Sequence, residues 1–180
     1  WVYGFRGSKC RNGIGYLQDN SICYFNAGVG ITYDPSCHQQ EHFTMHTDDI
    51  TSIAFSPNGQ DVATAELGAK PACYVWNGLT QQKQFKLSGN GIVKGIQAVA
   101  FSKTGKRLAI IDCHDDHHIA VYDMSNGTKV CKGKAGKGNV RDMAWQDDET
   151  FVTTGPKHFK QYSVAASGNL NAKAGSFGKN

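Results

Sequence analysis

Proline is scarce in this chain, at 4 of 180 residues, and long apolar runs are missing. Nothing approaches the roughly 18 consecutive apolar residues of a helical membrane span, so no membrane partner is expected. No basic-then-apolar leader opens the sequence, so no secretory signal is expected. The six cysteines, at positions 10, 23, 37, 73, 113 and 131, include no C-x-x-C pair. That spacing argues against a zinc knuckle or a disulfide framework and predicts free thiols in a reducing cytosol. A strong charge of one sign is also lacking, since 19 Lys and Arg against 15 Asp and Glu leave +4. So mild a balance permits an acidic partner without demanding one, and with no recognition motif nucleic acid is not expected. What the chain does have is 21 glycines and a hydrophobic content of 39%. That is the composition of a folded, turn-rich chain, long enough for one domain with a real core. The opening residue is Trp1 and not Met, which suggests a start inside something larger.

Internal repeats organise the rest. Ile50-Thr51-Ser52-Ile53-Ala54-Phe55-Ser56-Pro57-Asn58-Gly59 matches Ile96-Gln97-Ala98-Val99-Ala100-Phe101-Ser102-Lys103-Thr104-Gly105. The stretch from Val140 to Glu149, with Met143 and Trp145, is a third copy. Each alternates apolar and polar residues and ends in a turn cluster, the pattern of a strand entering a tight turn. A second landmark follows each copy: Tyr74-Val75-Trp76-Asn77, Ala120-Val121-Tyr122-Asp123 and Lys160-Gln161-Tyr162-Ser163, with an earlier version at Gly30-Ile31-Thr32-Tyr33-Asp34. Another short strand lies between the landmarks, as in Asp61-Val62-Ala63-Thr64-Ala65 and Lys106-Arg107-Leu108-Ala109-Ile110-Ile111. The repeat length of roughly 40–46 residues is that of WD repeats.

The chain therefore reads as all-β, a WD40-type β-propeller with about four atypical four-stranded blades. The expected blades are residues 1–45, 46–90, 91–136 and 137–180, with the first and last units incomplete. A blade has two apolar faces and cannot cover both alone, so an unclosed stack would expose apolar surface. This predicts membership of a larger propeller. Phe55, Phe101 and Trp145 are expected to fill the gaps between blades, with Trp76, Tyr122 and Tyr162 one strand further out. Standard WD repeats bury a hydrogen-bonded set of His, Asp, Ser or Thr, and Trp. His46, Thr64 and Trp76 can supply three members, but Leu67-Gly68-Ala69-Lys70-Pro71 offers no carboxylate. The full set is expected to be absent from most blades.

Several stretches go beyond a generic repeat. Trp1-Val2-Tyr3-Gly4-Phe5-Arg6-Gly7, Tyr24-Phe25-Asn26-Ala27-Gly28-Val29-Gly30, His46-Thr47-Asp48-Asp49-Ile50 and the Ala63 to Pro71 stretch keep their order and spacing. Together they resemble the first propeller region of the echinoderm-microtubule-associated-protein-like (EMAP-like) WD-repeat family. There the W-V-Y-G-[YF]-R-G stretch follows a hydrophobic motif, which is expected to lie upstream of this chain. The resemblance implies a tandem propeller and a non-catalytic structural or scaffold protein that associates with microtubules or tubulin. It also implies other cytoskeletal or axonemal partners, and a location in the cytoplasm and cytoskeleton, including the axoneme of a cilium or flagellum. The alternative is a general WD-repeat scaffold in a complex unrelated to tubulin, since fold alone does not fix function.

Candidate chemistry is thin. His114-Asp115-Asp116-His117-His118 holds metal-competent groups, but adjacent residues of a short turn point apart. It reads as a solvated hairpin, and no metal site is expected. Gly133-Lys134-Ala135-Gly136-Lys137-Gly138 has the glycine separation of a phosphate loop, but Asn139-Val140 stands where Lys-Ser belongs and no helix follows. No catalytic residue and no cofactor are expected. Asn126-Gly127-Thr128 fits a glycosylation sequon and reads as a turn. Lys129, Lys132, Lys134, Lys137 and Arg141 form a basic run near the blade-to-blade connection, and Arg6, Lys9 and Arg11 form a smaller cluster. Either patch could steer an acidic partner such as tubulin; the simpler reading is a solvated loop.

Overall fold

Wherever the sequence alternates and then breaks into a turn cluster, a strand forms and reverses. The computed structural model describes residues 1–8, 10, 12–138 and 140–176. Sixteen strands in it make four antiparallel sheets, each a meander in chain order. The first sheet holds β1 (Ile14–Tyr16), β2 (Ile22–Asn26), β3 (Val29–Asp34) and β4 (Gln39–Phe43). The second holds β5 (Ile50–Phe55), β6 (Asp61–Glu66), β7 (Ala72–Asn77) and β8 (Lys83–Ser88). The third holds β9 (Ile96–Phe101), β10 (Arg107–Asp112), β11 (His118–Asp123) and β12 (Lys129–Lys134). The fourth holds β13 (Asp142–Trp145), β14 (Thr150–Gly155), β15 (His158–Val164) and β16 (Leu170–Ala174). No helix among the described residues is long and apolar enough to cross a membrane. The expectation that the end units are incomplete is corrected, because both carry four strands. β1 has only three residues, too few to show a period, and β16 is largely exposed, so its side chains need not alternate.

The turns follow from the residues that make them. Gly59 and Gly105 occupy matching positions with φ of 71° and 79°, where an L side chain is strained. Each donates its N–H to the serine carbonyl three residues earlier, Ser56 and Ser102, at 3.0 Å. At the other hairpin of the first three repeats, Asp34, Asn77 and Asp123 end the third strand. Their Oδ1 atoms accept the N–H two residues on, from Ser36, Leu79 and Ser125, at 2.8, 3.0 and 2.8 Å. These Asx turns set where the third strand stops. The sequon lies in such a turn, with Thr128 N–H bonded to Asn126 Oδ1 at 2.9 Å.

Three apolar clusters join the sheets in sequence order, as in propeller blades. Phe25 and Phe43 of the first sheet pack with Ile53, Val62 and Trp76 of the second. Ala63, Val75 and Leu87 of the second pack with Leu108, Ile110 and Tyr122 of the third. Ala109, Val121 and Cys131 of the third pack with Trp145, Phe151 and Tyr162 of the fourth. Trp76, Tyr122 and Tyr162 thus occupy one structural position, each plugging the gap to the preceding blade. Each such ring removes about 200 Å² from water, worth about 5 kcal/mol as an upper figure. Polar ties repeat as well: Thr51 Oγ1 donates to the Ile96 carbonyl at 2.6 Å, and Gln97, one repeat on, donates to the Val140 carbonyl.

Tyr33 aligns with Trp76, and among the described residues no sheet precedes its own. The opening segment lies there instead. Trp1 packs edge-on to Tyr33 at 6.0 Å and beside His38 at 4.6 Å. Val2 exchanges two backbone bonds with the Gln40 amide, at 2.8 and 3.1 Å. On the same face Ile14 and Tyr16 remain 60% and 72% exposed.

Candidate partner-binding surface

One end of the propeller arc is built around buried carboxylates. In the second sheet His46 Nδ1 lies 2.9 Å from Glu66 Oε2, and His46 Nε2 lies 2.7 Å from Thr64 Oγ1. Trp76 Nε1 donates to the same Thr64 oxygen at 2.9 Å. Glu66 also accepts the N–H groups of Thr47 and Ala72, at 2.9 and 3.1 Å. Glu66, the last residue of β6, therefore supplies the carboxylate that the Leu67–Pro71 stretch lacks, which corrects the expectation of an incomplete set there. The third sheet places Asp112 at the matching register, opposite Ile96 as Glu66 is opposite Ile50. In the fourth, Thr153 and His158 bond at 2.8 Å.

Burial holds the His46 imidazole below its ordinary pKa, against the opposing pull of Glu66. His158 is depressed too, first by burial and then by Lys160. A neutral His46 fits its bonds, because Nε2 can then accept the Thr64 hydroxyl. When the folded pKa lies below the unfolded value of about 6.5, the unfolded chain binds more protons. Stability from these groups is therefore complete above about pH 6.5 and is lost as pH falls through the folded value. The melting temperature is expected to drop between about pH 7 and pH 5, and to drop less in His46→Asn. A melting temperature constant over that window contradicts this assignment.

The basic run is not a loop. Lys129, Lys132 and Lys134 lie on β12, the outermost strand of its sheet, and only Lys137 and Arg141 lie in the connection to β13. Lysine on an outer strand also blocks edge-to-edge pairing, and β8 and β16 carry lysines in the same way. Two members are engaged: Lys129 Nζ reaches Asn90 Oδ1 at 3.2 Å, and Lys134 Nζ pairs with Asp116 at 2.9 Å. Lys132, Lys137 and Arg141 are exposed. Lys132 and Lys134 line a cavity of about 350 Å³ with Asn90, Gly91 and His118. Arg6 is tied to Asp49 at 2.9 Å, which uses its charge locally. Lys9 and Arg11 lie outside the described residues.

The β10–β11 turn does more than adjacency suggests. Alternate residues fall on one side, so His114, Asp116 and His118 bring one ligand atom each within 4.8 Å of the others. The buried thiols are poor nucleophiles. Burial pushes Cys23 up to about 12 and Cys131 up to about 11, and it raises Cys73 further. All six cysteines are free.

Comparison with known proteins bears on this surface. A HELP motif model matches residues 1–31, and a WD domain, G-beta repeat model matches residues 37–77. The matched stretch runs from Trp1 through β2 into β3. Part of the family's motif therefore lies within this chain, where the expectation had placed it upstream. The 77 kDa echinoderm microtubule-associated protein of Strongylocentrotus purpuratus is 31% identical over 99% of this chain and 27% of its own length. The ciliary WD repeat-containing protein ctxp80 of Euplotoides octocarinatus is 29% identical over 99% of this chain and 27% of its own. Human echinoderm microtubule-associated protein-like 3 is 29% identical over 99% of this chain and 23% of its own. The chain thus spans about a quarter of the length of these curated relatives. With a HELP motif, a WD repeat, four propeller blades and this alignment from end to end, the chain is a member of the EMAP-like WD-repeat family.

Proposed function

We propose that the protein is a non-catalytic scaffold that associates with microtubules, as part of a larger propeller assembly. The observation that carries this reading is the alignment of 99% of the chain with a protein named for microtubule association. Blades, not clefts, dominate the fold, and its buried thiols are poor nucleophiles. The tubulin surface is acidic, and the exposed Lys132, Lys137 and Arg141 match it in sign. A cytoskeletal location follows from the same reading, with the ciliary axoneme as one setting supported by the ciliary relative. Further blades, such as the longer relatives have room for, would cover Ile14 and Tyr16.

The surface is tested by reversing two exposed charges. The double variant Lys132→Glu/Lys137→Glu in the intact protein is expected to weaken microtubule co-sedimentation about tenfold at low salt, and less at high salt. Lys173→Glu, on β16, serves as the matched control. Equal affinity in the double variant and the control removes this face from the proposal.

A further inference from the structure

We propose that the β10–β11 turn is a divalent transition-metal site, ligated by His114, Asp116 and His118 and suited to Zn²⁺. Two imidazoles and a carboxylate make a borderline donor set of the kind zinc takes, leaving a coordination position for water. Each residue offers a ligand atom within 4.8 Å of the other two. Ligand atoms around tetrahedral zinc lie about 3.4 Å apart, so side-chain rotations of about an ångström close the site. The two rings already stand together, with centroids 4.5 Å apart.

The second observation is the support behind the ligands. Asp112 is fully buried and is not itself in the cluster. Its Oδ2 lies 2.9 Å from His118 Nδ1 and so takes that proton, which fixes the tautomer and leaves Nε2 as the free donor. A carboxylate behind a ligating histidine is the usual outer support of a zinc site. Asp112 Oδ1 also accepts the N–H groups of His114 and His118, at 3.1 and 2.7 Å, which fixes the backbone of two ligands. The Asp112 carbonyl lies 2.9 Å from His117 Nδ1, which keeps that ring out of the cluster. One buried side chain thus orders the whole turn. In the second blade the equivalent Glu66 is spent on His46 instead.

Two contacts compete with the ion. Lys134 Nζ sits 2.9 Å from Asp116 Oδ2, and the Asp116 N–H points at His114 Nδ1 at 3.1 Å. The first contact is exposed, and the second engages only one ring nitrogen of His114, so both are weak opponents. Asp116 keeps its other oxygen free for the metal.

The test is a Co²⁺ titration of the intact, metal-stripped protein, reading visible d–d absorption, followed by displacement with Zn²⁺. One Co²⁺ is expected to bind saturably, with the spectrum lost in His114→Ala/His118→Ala. Asp112→Asn, which keeps an acceptor for the turn, is expected to weaken binding 10- to 100-fold, the usual effect of losing an outer support. Circular dichroism confirms that each variant is folded. Absence of a saturable spectrum in the folded wild type overturns the proposal. So does an unchanged spectrum in the double histidine variant, which would place the ion elsewhere.

Discussion

Replacing Glu66 with Ala is expected to cost about 3–5 kcal/mol, because several donors lose one shared acceptor and a stranded buried donor costs about 1–3 kcal/mol. The side chain does four jobs at once. It accepts His46 Nδ1, the N–H groups of Thr47 and Ala72, and at 3.4 Å the Thr47 hydroxyl. Its removal leaves these donors without their acceptor, and each one that stays shielded from water costs about 1–3 kcal/mol. It also releases the entry to β5 and the turn before β7 together. Glu66→Gln keeps one acceptor and is expected to lose about half as much. Urea unfolding would show a lower midpoint with an unchanged slope. A midpoint within error of wild type would show that the set carries no stability.

Trp76→Ala is the second large effect, at about 3–5 kcal/mol. Trp76 is fully buried, stacks on Phe43 at 4.7 Å and 5°, and donates to Thr64. It is the plug between the first two blades, so its loss opens a cavity there. Gly30 shows how tight the fit is, because a Cβ at that position would meet Trp76 Cζ2 at 2.9 Å. Trp145→Ala should fall at the low end of the range. That ring is nearer the surface, at 6% exposed, and its N–H goes to the Ala100 carbonyl. Trp76→Ala and Thr64→Val should be non-additive, since they share one hydrogen bond. Additive losses in a double-mutant cycle would mean that the tryptophan acts by bulk alone.

The propeller was legible because its signals are local and repeated. Ser56-Pro57-Asn58-Gly59 and Ser102-Lys103-Thr104-Gly105 mark the same turn twice, and Trp76, Tyr122 and Tyr162 fall at one register. Features that depend on three-dimensional placement were harder to read. Glu66 is hard to read from sequence because it ends strand β6, outside the Leu67–Pro71 turn where a carboxylate is expected. The lysines of β12 looked like a loop because glycines and lysines mask a strand whose only fully buried residue is Cys131. The Lys134–Asp116 pair joins residues 18 apart, and sequence alone cannot show that this charge is already engaged. His114, Asp116 and His118 looked dispersed because a tight turn was assumed to splay neighbours, whereas alternate residues converge.

The most direct test of the microtubule reading is co-sedimentation of the intact protein with stabilised microtubules across a salt series. The prediction is saturable pelleting that weakens steadily as salt rises, because exposed cations are screened beyond a Debye length of about 8 Å at physiological ionic strength. Absence of pelleting at low salt, with the protein folded and monodisperse, would contradict it and favour a scaffold for partners other than tubulin.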